Sequence, residues 1–224
     1  MIRNFARRFC TVNPLTIQGS LSFEVITKEK DAHRFLELLT EKFSRSEGAS
    51  LSMNLSKHDL FTLFDPLREY FLEHQTALIA RDNSINDIVS GFMGLDYFAS
   101  FPPGFESRMT PKALEVVEIL DGFKNKSFEK GHTIKQMNTY FYILAGFTAD
   151  AYEGRGIYRM LSNLAEKRAR ERGFKYMMRE TTNSRLERAF AAQGYQTLSK
   201  ESLDELSKNQ GEKGFYWTQM QKSL

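Results

Sequence analysis

Apolar residues recur along the first half of the chain with two different periods, and each period predicts a different kind of element. Residues 21–26 alternate apolar and polar side chains, as a half-buried strand does. Residues 28–43 carry apolar side chains at helical spacing, and Ser56 is placed to cap a second helix. Residues 76–81 and 88–98 are typical of strands, and the turn-rich link between them predicts a hairpin.

The second half of the chain alternates more regularly between strands and helices. Residues 139–147 form a continuous apolar and aromatic run, which predicts a central strand buried on both faces. A helix over 157–172, a strand over 174–179 and a helix over 183–192 follow. The remaining predictions are a helix that begins at Pro111, polar loops over 44–50 and 125–133, and strands over 195–198 and 215–220. This order indicates an α/β chain with a mixed sheet flanked by helices.

The length and composition fit one domain and exclude several classes of protein. The chain has 224 residues, of which 41% are hydrophobic and 26% charged, as in ordinary globular proteins. The longest apolar-rich run, 139–149, is far shorter than a membrane span. A single cysteine, Cys10, excludes an internal disulfide, and the four histidines show no spacing typical of metal ligands. We therefore predict no metal site.

Charge gives a weaker indication of partners. The net charge of +3 is small, but eight Lys/Arg and four Glu lie between Glu166 and Arg188. The simplest interpretation of this basic region is a solvated helix face, so no nucleic-acid partner is predicted.

The first fourteen residues differ from the rest of the chain. They include three arginines, no acid precedes Glu24, and Ile2, Phe5 and Phe9 fall on one face of a helix. An amphipathic, arginine-rich and acid-free N-terminus resembles a mitochondrial presequence. We expect a targeting segment over 1–14 and a single domain over 15–224. The alternative is a mobile basic tail on a cytoplasmic protein.

One loop between a strand and a helix contains candidate residues for binding an anion. The stretch DAYEGRGIYRML, residues 150–161, places Gly154 and Gly156 just before a predicted helix. Glycines there allow a ligand to approach the backbone, and the free N–H groups at a helix start favour an anion. Neither a P-loop nor a dinucleotide-binding motif is present, and two glycines can also form a plain turn.

Three stretches together resemble a known family. The core of the GCN5-related N-acetyltransferases (GNAT) is similar to the stretches FTADAYEGRGIYRML, AEKRARERGFKYMM and TTNSRLERAFAAQGY. Gly173-Phe174 and Gly194-Tyr195 match the glycine–aromatic pairs of the family pattern. The resemblance covers 139–198 well. Within the family the chain is most similar to the arylalkylamine N-acetyltransferases of the insect type, on EKFSRSEGASL, TALIARDNSINDIVSGFMGL and RETTNSRLERAFAAQGYQTLSK.

The resemblance implies a fold, an activity and a set of site residues. The fold is a central, mostly antiparallel mixed sheet, splayed around the cofactor site. The activity is transfer of an acetyl group from acetyl-CoA to a primary amine that attacks directly, with Glu47 as general base. The pyrophosphate would rest on backbone N–H groups of the loop and helix start, and the pantetheine on the preceding strand. The residues implied for the cofactor are Phe147, Thr148, Ala149, Gly154, Arg155, Gly156, Ile157, Tyr158 and Arg159.

The sequence departs from the family pattern at three positions. Glu153 stands at an Arg/Gln position, Tyr158 at a Gly/Ala position, and Phe190 where many relatives carry a tyrosine that protonates the leaving thiolate. The repulsion of a phosphate by Glu153 is small, about 0.5 kcal/mol at about 8 Å in water, and Arg155 is expected to offset it. The substitutes considered for a proton donor are Tyr142, Tyr152 and Ser184.

The sequence is compatible with three functional hypotheses. The first is an acetyltransferase acting on a small amine, with Phe61, Phe64, Tyr70 and Phe71 available to line a pocket for an aromatic one. The second is an inactive subunit with a structural role in a mitochondrial assembly, which predicts a cleft filled by Tyr158 or Phe190. The third is acetylation of protein amines, which predicts an open groove lined with acids.

Overall fold

An eight-stranded sheet runs through the described part of the chain. The computed structural model describes residues 16–100, 104–129, 136–203 and 214–224, so the predicted targeting segment over 1–14 lies outside the described residues. The strands are β1 (Thr16–Gln18), β2 (Leu21–Val25), β3 (Ala77–Asp82), β4 (Asp87–Asp96), β5 (Tyr140–Thr148), β6 (Tyr176–Thr181), β7 (Gln196–Ser202) and β8 (Tyr216–Ser223). The helices are α1 (Glu29–Ser46), α2 (Gly48–Ser52), α3 (Lys57–Phe64), α4 (Arg68–Glu73), α5 (Pro111–Glu129), α6 (Ile157–Glu171) and α7 (Ser184–Ala191).

The strand order is β1-β2-β3-β4-β5-β6-β8-β7, and β5 and β6 are the parallel pair among the described strands. Their ladder ends where Ile143 pairs with Arg179, although β5 continues to Thr148 and β6 to Thr181. A register shift against β4 leaves Leu144 as an extra residue on β5 at the same level. Because β5 stays paired with β4 up to Thr148, the sheet splits between β5 and β6 and leaves one edge of β5 open. The mixed, mostly antiparallel and splayed sheet confirms the predicted fold class.

Helices cover both faces of the sheet and form two large apolar cores, and a smaller third cluster surrounds Tyr140. On one face, α1, α3, α4 and α5 pack around Phe35, whose ring lies 6.2 Å from that of Phe71 and 5.9 Å from that of Phe147. On the other face, α6 and α7 pack over Phe92, which is fully buried. Since Phe147 lies on β5 beside the split, the first core also fixes α1 against the open strand.

Most predicted elements are present, and the deviations have local causes. The loop predicted over 44–50 is wrong, because α1 runs to Ser46 and the Glu47 side chain caps the short helix α2. The loop predicted over 125–133 begins later, since α5 runs to Glu129. Leu186 of α7 is 39% exposed and borders a cavity, although it is a large apolar residue. The short strand β1 has no signal in the sequence pattern.

Part of the basic region has a structural role. Arg168 and Arg172 of α6 are half-buried and donate hydrogen bonds to the carbonyls of Gln75 and His74, at the end of α4. Burial lowers the pKa of both guanidinium groups. The predicted solvated face therefore applies to the other cations of this helix. No described helix has the length and apolar character needed to cross a membrane.

Candidate functional site

A cavity of about 1030 Å³ fills the split between β5 and β6. The backbone groups available there follow from the pairing of β5 with β4. Ala149 donates its N–H to the Val89 carbonyl at 2.8 Å, and hydrogen-bonded pairs alternate along an antiparallel ladder. The backbone of Phe147 therefore also faces β4, whereas that of Gly146 and Thr148 faces the cavity. Of the three strand residues predicted for the cofactor, Thr148 has its backbone on the open edge, and Gly146 was missed.

The loop after β5 presents free N–H groups to the same cavity. Gly154 and Gly156 have φ angles of 73° and 76°, the left-handed conformation that favours glycine. Gly156 directly precedes α6, no side chain caps this helix, and its first intrahelical bond is donated by Met160. The N–H groups of Ile157, Tyr158 and Arg159 in the first turn are therefore free to bind an anion. This matches the geometry expected of the predicted pyrophosphate site.

The acid at the start of the loop is neutralised from a distant helix. Lys42 of α1 pairs with Glu153 at 2.7 Å and with Asp150. Burial opposes the charge of Lys42, but hydrogen bonds to both carboxylates outweigh it and raise the pKa of the ammonium. Arg155, which was expected to offset the repulsion by Glu153, lies 4.9 Å above the Tyr152 ring and lines the cavity. Lys42 is a second cation that balances the loop acids, and the sequence pattern did not indicate it.

The Tyr158 side chain packs against β5 and leaves the cavity open. A Cβ atom added to Gly146 would lie 2.9 Å from the Tyr158 ring, so this ring covers the glycine. Phe190 is 3% exposed and packs against Tyr195, with ring centroids 5.7 Å apart. The hypothesis of an inactive subunit requires one of these rings to fill the space between the splayed strands. Neither ring does so.

Glu47, the predicted general base, lies at the cavity and caps α2. Its carboxylate accepts hydrogen bonds from Ala49 N–H at 3.0 Å, Ser50 N–H at 2.7 Å and Ser50 Oγ at 2.8 Å. Thr182 Oγ1 at the end of β6 donates a fourth at 2.5 Å. With four donors around it, Glu47 holds α2 against β6, and a structural role accounts for all of its contacts.

A second carboxylate, Glu180 of β6, also lines the cavity and was missed by the sequence analysis. Trp217 Nε1 and Gln219 Nε2 of β8 donate to it at 2.9 and 3.2 Å. Burial raises the pKa of Glu180 to about 7, although nearby hydrogen-bond donors partly counteract this effect. A carboxylate with a pKa near neutrality is suited to accept a proton from a bound substrate.

The three candidate proton donors lie in different places. Tyr142 is buried beside the Glu180 carboxylate, and burial raises its pKa well above the usual value. The Tyr152 hydroxyl donates to Asp82 at 2.8 Å, near the loop. Ser184 is exposed at the start of α7. The site therefore brings together Tyr142 and Glu180, but neither Tyr152 nor Ser184.

An apolar wall adjoins Glu47 and Glu180 in the cavity. Of the four aromatic residues predicted to line a pocket, only Phe64 does so within the described residues. Phe61 packs against His33, and Phe71 belongs to the first core. The side chains that form the wall are Phe43, Leu60, Phe64, Val116, Leu120 and Trp217. Among the described residues no cluster of His, Cys, Asp and Glu could hold a metal ion.

Comparison with solved structures identifies the architecture. The C-terminal condensation domain of Ebony, solved with beta-alanyl-dopamine, has a TM-score of 0.78 at 12% identity over 91% of this chain and 99% of that one. Mosquito arylalkylamine N-acetyltransferase like 5b has a TM-score of 0.72 at 17% identity over 92% and 100%. A putative acetyltransferase from Salmonella typhimurium, solved with acetyl-CoA, has a TM-score of 0.58 at 14% identity over 91% and 94%.

Sequence comparison adds nothing to these likenesses, since no family model and no curated protein matches the chain. At identities this low, the structural neighbours show the fold. The chain has the fold of the GCN5-related N-acetyltransferases, and the resemblance predicted from the sequence is confirmed at that level.

Proposed function

We propose that this protein is an N-acetyltransferase that moves an acetyl group from acetyl-CoA to a small, largely apolar primary amine. The observation that carries the proposal is the open edge of β5 beside an uncapped helix start. An extended pantetheine arm fits such an edge, and a pyrophosphate fits the N–H groups at the start of α6. The solved neighbours, which include acetyltransferases, support the same reading.

The backbone of β5 supplies the polarising group for the thioester. An N–H on the open edge, at Gly146 or in the bulge at Leu144, is placed to donate to the thioester carbonyl. One preorganised donor of this kind contributes about 3 kcal/mol to the transition state. Holding the amine next to the carbonyl supplies much of the remaining acceleration.

The amine must lose a proton before it can attack, and Glu180 is the better-placed acceptor. Its pKa of about 7 lets it exist as a carboxylate at neutral pH while remaining basic enough to take the proton. Glu47, the base implied by the resemblance, stays the alternative. Two carboxylates on an otherwise apolar wall suit a single ammonium attached to an apolar body.

The enclosed apolar wall favours a small amine over the amine of a protein. A protein substrate needs a long open groove lined with acids, whereas the cavity between α3, α5 and β8 is lined mainly by apolar side chains. An inactive structural subunit has no specific support, since the cavity between β5 and β6 is open. A mitochondrial location, expected from residues 1–14, stays a prediction.

Incubation with acetyl-CoA and a panel of amines tests the proposal. The panel contains aryl-ethyl, alkyl and polyamine substrates and a lysine peptide, and free thiol and acetylated product are both measured. We expect product with at least one small apolar amine and none with the lysine peptide. Absence of product from every amine, in a protein that binds acetyl-CoA, would favour the structural alternative.

Replacing Lys42 by methionine tests the charge balance of the loop. Without Lys42, Asp150 and Glu153 each repel the phosphates by about 0.5 kcal/mol, so binding of acetyl-CoA should weaken about fivefold. Calorimetric titration measures this change. Lys57→Met is the control, because Lys57 pairs with Glu41 on the exposed surface. An unchanged dissociation constant for Lys42→Met would mean that the loop acids lie too far from the phosphates to matter.

A further inference from the structure

The buried guanidinium of Arg179 lies at the apex of the split between β5 and β6. Arg179 is 1% exposed and occupies the last paired position of β6, opposite Ile143. Its Nε donates to Tyr195 Oη at 2.8 Å and its Nη2 donates to Ser162 Oγ, whereas Nη1 is buried without a partner. Arg179 also lines the cavity. One donor edge of this buried cation is therefore unused.

Only neutral groups surround this cation closely among the described residues. Its central carbon lies 4.7 Å from the Phe190 ring, 5.0 Å from the Tyr195 ring and 6.0 Å from the Tyr158 ring. Glu166 of α6 follows Ser162 by one helical turn, and its Oε2 pairs with Lys222 at 2.8 Å while its Oε1 is buried without a partner. No acid forms an ion pair with Arg179 within the described residues. A buried charge without a paired anion is costly, so a site of this kind is best explained by an anion that arrives with a ligand.

The position of Arg179 relative to Glu180 indicates which anion. Successive residues of a strand point to opposite faces, so Arg179 faces α6 and α7 while Glu180 faces β8 and the apolar wall. The anion site at the start of α6 and the apex are separated by the open stretch from Thr148 to Leu144, about 13 Å of strand. A thioester arm laid along that edge would end beside Arg179, with the amine on the Glu180 side.

We propose that Arg179 binds the sulfur of the thioester and stabilises the thiolate as it leaves. This inference rests on the proposed acetyltransferase function. Glu180 first takes a proton from the ammonium and passes it to solvent water. The neutral amine nitrogen then forms a bond to the carbonyl carbon and gives its second proton to the Glu180 carboxylate, the carbon–sulfur bond breaks, and its electron pair stays on sulfur. Arg179 holds that negative charge and keeps its own proton, because a guanidinium does not act as an acid in proteins. The thiolate takes a proton from water after it is released.

This assignment also gives Phe190 a role. A phenylalanine has no proton to donate to the sulfur, but its ring face supports the guanidinium at 4.7 Å. Phe190 departs from the family pattern, and the fixed cation of Arg179 lies at the same end of the cavity. Stabilising the thiolate by charge removes the need for a proton donor at Phe190.

The ionisation of bound coenzyme A tests the proposal. Free coenzyme A is titrated onto the protein at a series of pH values, and the thiolate is followed by its ultraviolet absorbance. In the wild type we expect the bound thiol to ionise about 1–3 pH units below the free thiol. Arg179→Met should abolish this difference, and Arg179→Lys should restore part of it. Arg188→Met, which removes an exposed cation on α7, should leave it unchanged.

Acetylation rates give a second readout that a merely structural role for Arg179 would not move. With acetyl-CoA, the kcat of Arg179→Met should be about 100-fold below that of the wild type. This difference should shrink towards none with acetyl thioesters whose leaving thiols are increasingly acidic. Calorimetry on the same samples reports binding of acetyl-CoA separately. If coenzyme A binds but its thiol ionises as in solution, the role of Arg179 is wrong while the acetyltransferase function stands. If coenzyme A does not bind, both are wrong. Arg179→Lys retains the charge, so it keeps the comparison valid if Arg179→Met fails to fold.

Discussion

Replacing Glu180 by glutamine is expected to lower kcat for amine acetylation by about 100-fold or more above pH 7. A positioned general base contributes about 10²–10⁴-fold, and the amide of glutamine cannot accept the proton. Glutamine keeps the size of the side chain and one oxygen for the donors Trp217 and Gln219, so the fold should persist. Steady-state kinetics with saturating acetyl-CoA measure the effect, and circular dichroism checks the fold.

The pH dependence separates Glu180 from Glu47. Because burial raises the pKa of Glu180 to about 7, the wild-type rate should fall as the pH drops below that value and the carboxylate takes up a proton. Glu180→Gln should lose this acidic limb. Glu47→Gln, the matched control, should keep the limb and lose stability instead, since it removes acceptors for the start of α2. The reverse pattern would return the role of base to Glu47.

The same pKa has a consequence for stability that does not depend on activity. The carboxyl of Glu180 has a pKa of 4.5 in its reference state and about 7 in the folded protein, so folding favours its protonated form. Its contribution to stability is therefore fully present below about pH 4.5 and is lost as the pH rises through about 7. Relative to Glu180→Gln, the wild type should become less stable over this range. An equal pH dependence of both proteins would mean that burial does not shift this group.

Replacing Phe35 by alanine is expected to lower the free energy of unfolding by about 3–5 kcal/mol. Phe35 has no exposed surface, and its ring lies between those of Phe71 and Phe147. Removing it takes away apolar contact and leaves a cavity between α1, α4 and β5, which is the usual origin of losses of this size. Urea unfolding followed by fluorescence measures the change. Ile85→Ala, at a position that is 60% exposed, is the control and should change stability by less than about 0.5 kcal/mol.

Loss of Phe35 should also weaken the site. Phe147 belongs to the open strand, and α1 carries Lys42. The last residue of α1 is Ser46, and Glu47 follows it directly. A loosened α1 should therefore raise the dissociation constant for acetyl-CoA at temperatures where the variant is still folded. Normal affinity in a variant destabilised by the expected amount would show that the loop holds its geometry without α1.

The local sequence pattern predicts the loop site but not the groups that balance it. The glycines at 154 and 156 and the helix after them are adjacent in sequence, so their geometry could be predicted. Lys42 and Glu153 are 111 residues apart in the sequence. The hydrophobic pattern contains no information on which distant cation pairs with Glu153. The sequence therefore indicated the neighbouring Arg155 as the offsetting cation but not Lys42.

The two residues of β6 to which we assign roles, Arg179 and Glu180, were not predicted from the sequence for a related reason. Arg179 and Glu180 lie at the end of a short strand, where a charged pair usually indicates solvent. Their burial comes from the splitting of the sheet, with α6 and α7 over Arg179 and β8 beside Glu180. Glu47 was identified from the resemblance, but its four hydrogen bonds depend on Thr182 and on the short helix α2, which the polar stretch over 44–50 did not predict.

The most direct test of the central claim is calorimetric titration of the protein with acetyl-CoA. We expect one site per chain with a dissociation constant in the micromolar range, weakened about fivefold in Lys42→Met and nearly unchanged in Glu180→Gln. Removing the phosphates, by titrating an acetyl-pantetheine thioester instead, should lose most of the affinity. Absence of binding at millimolar acetyl-CoA would contradict the assignment of the split between β5 and β6 as an acetyl-CoA site.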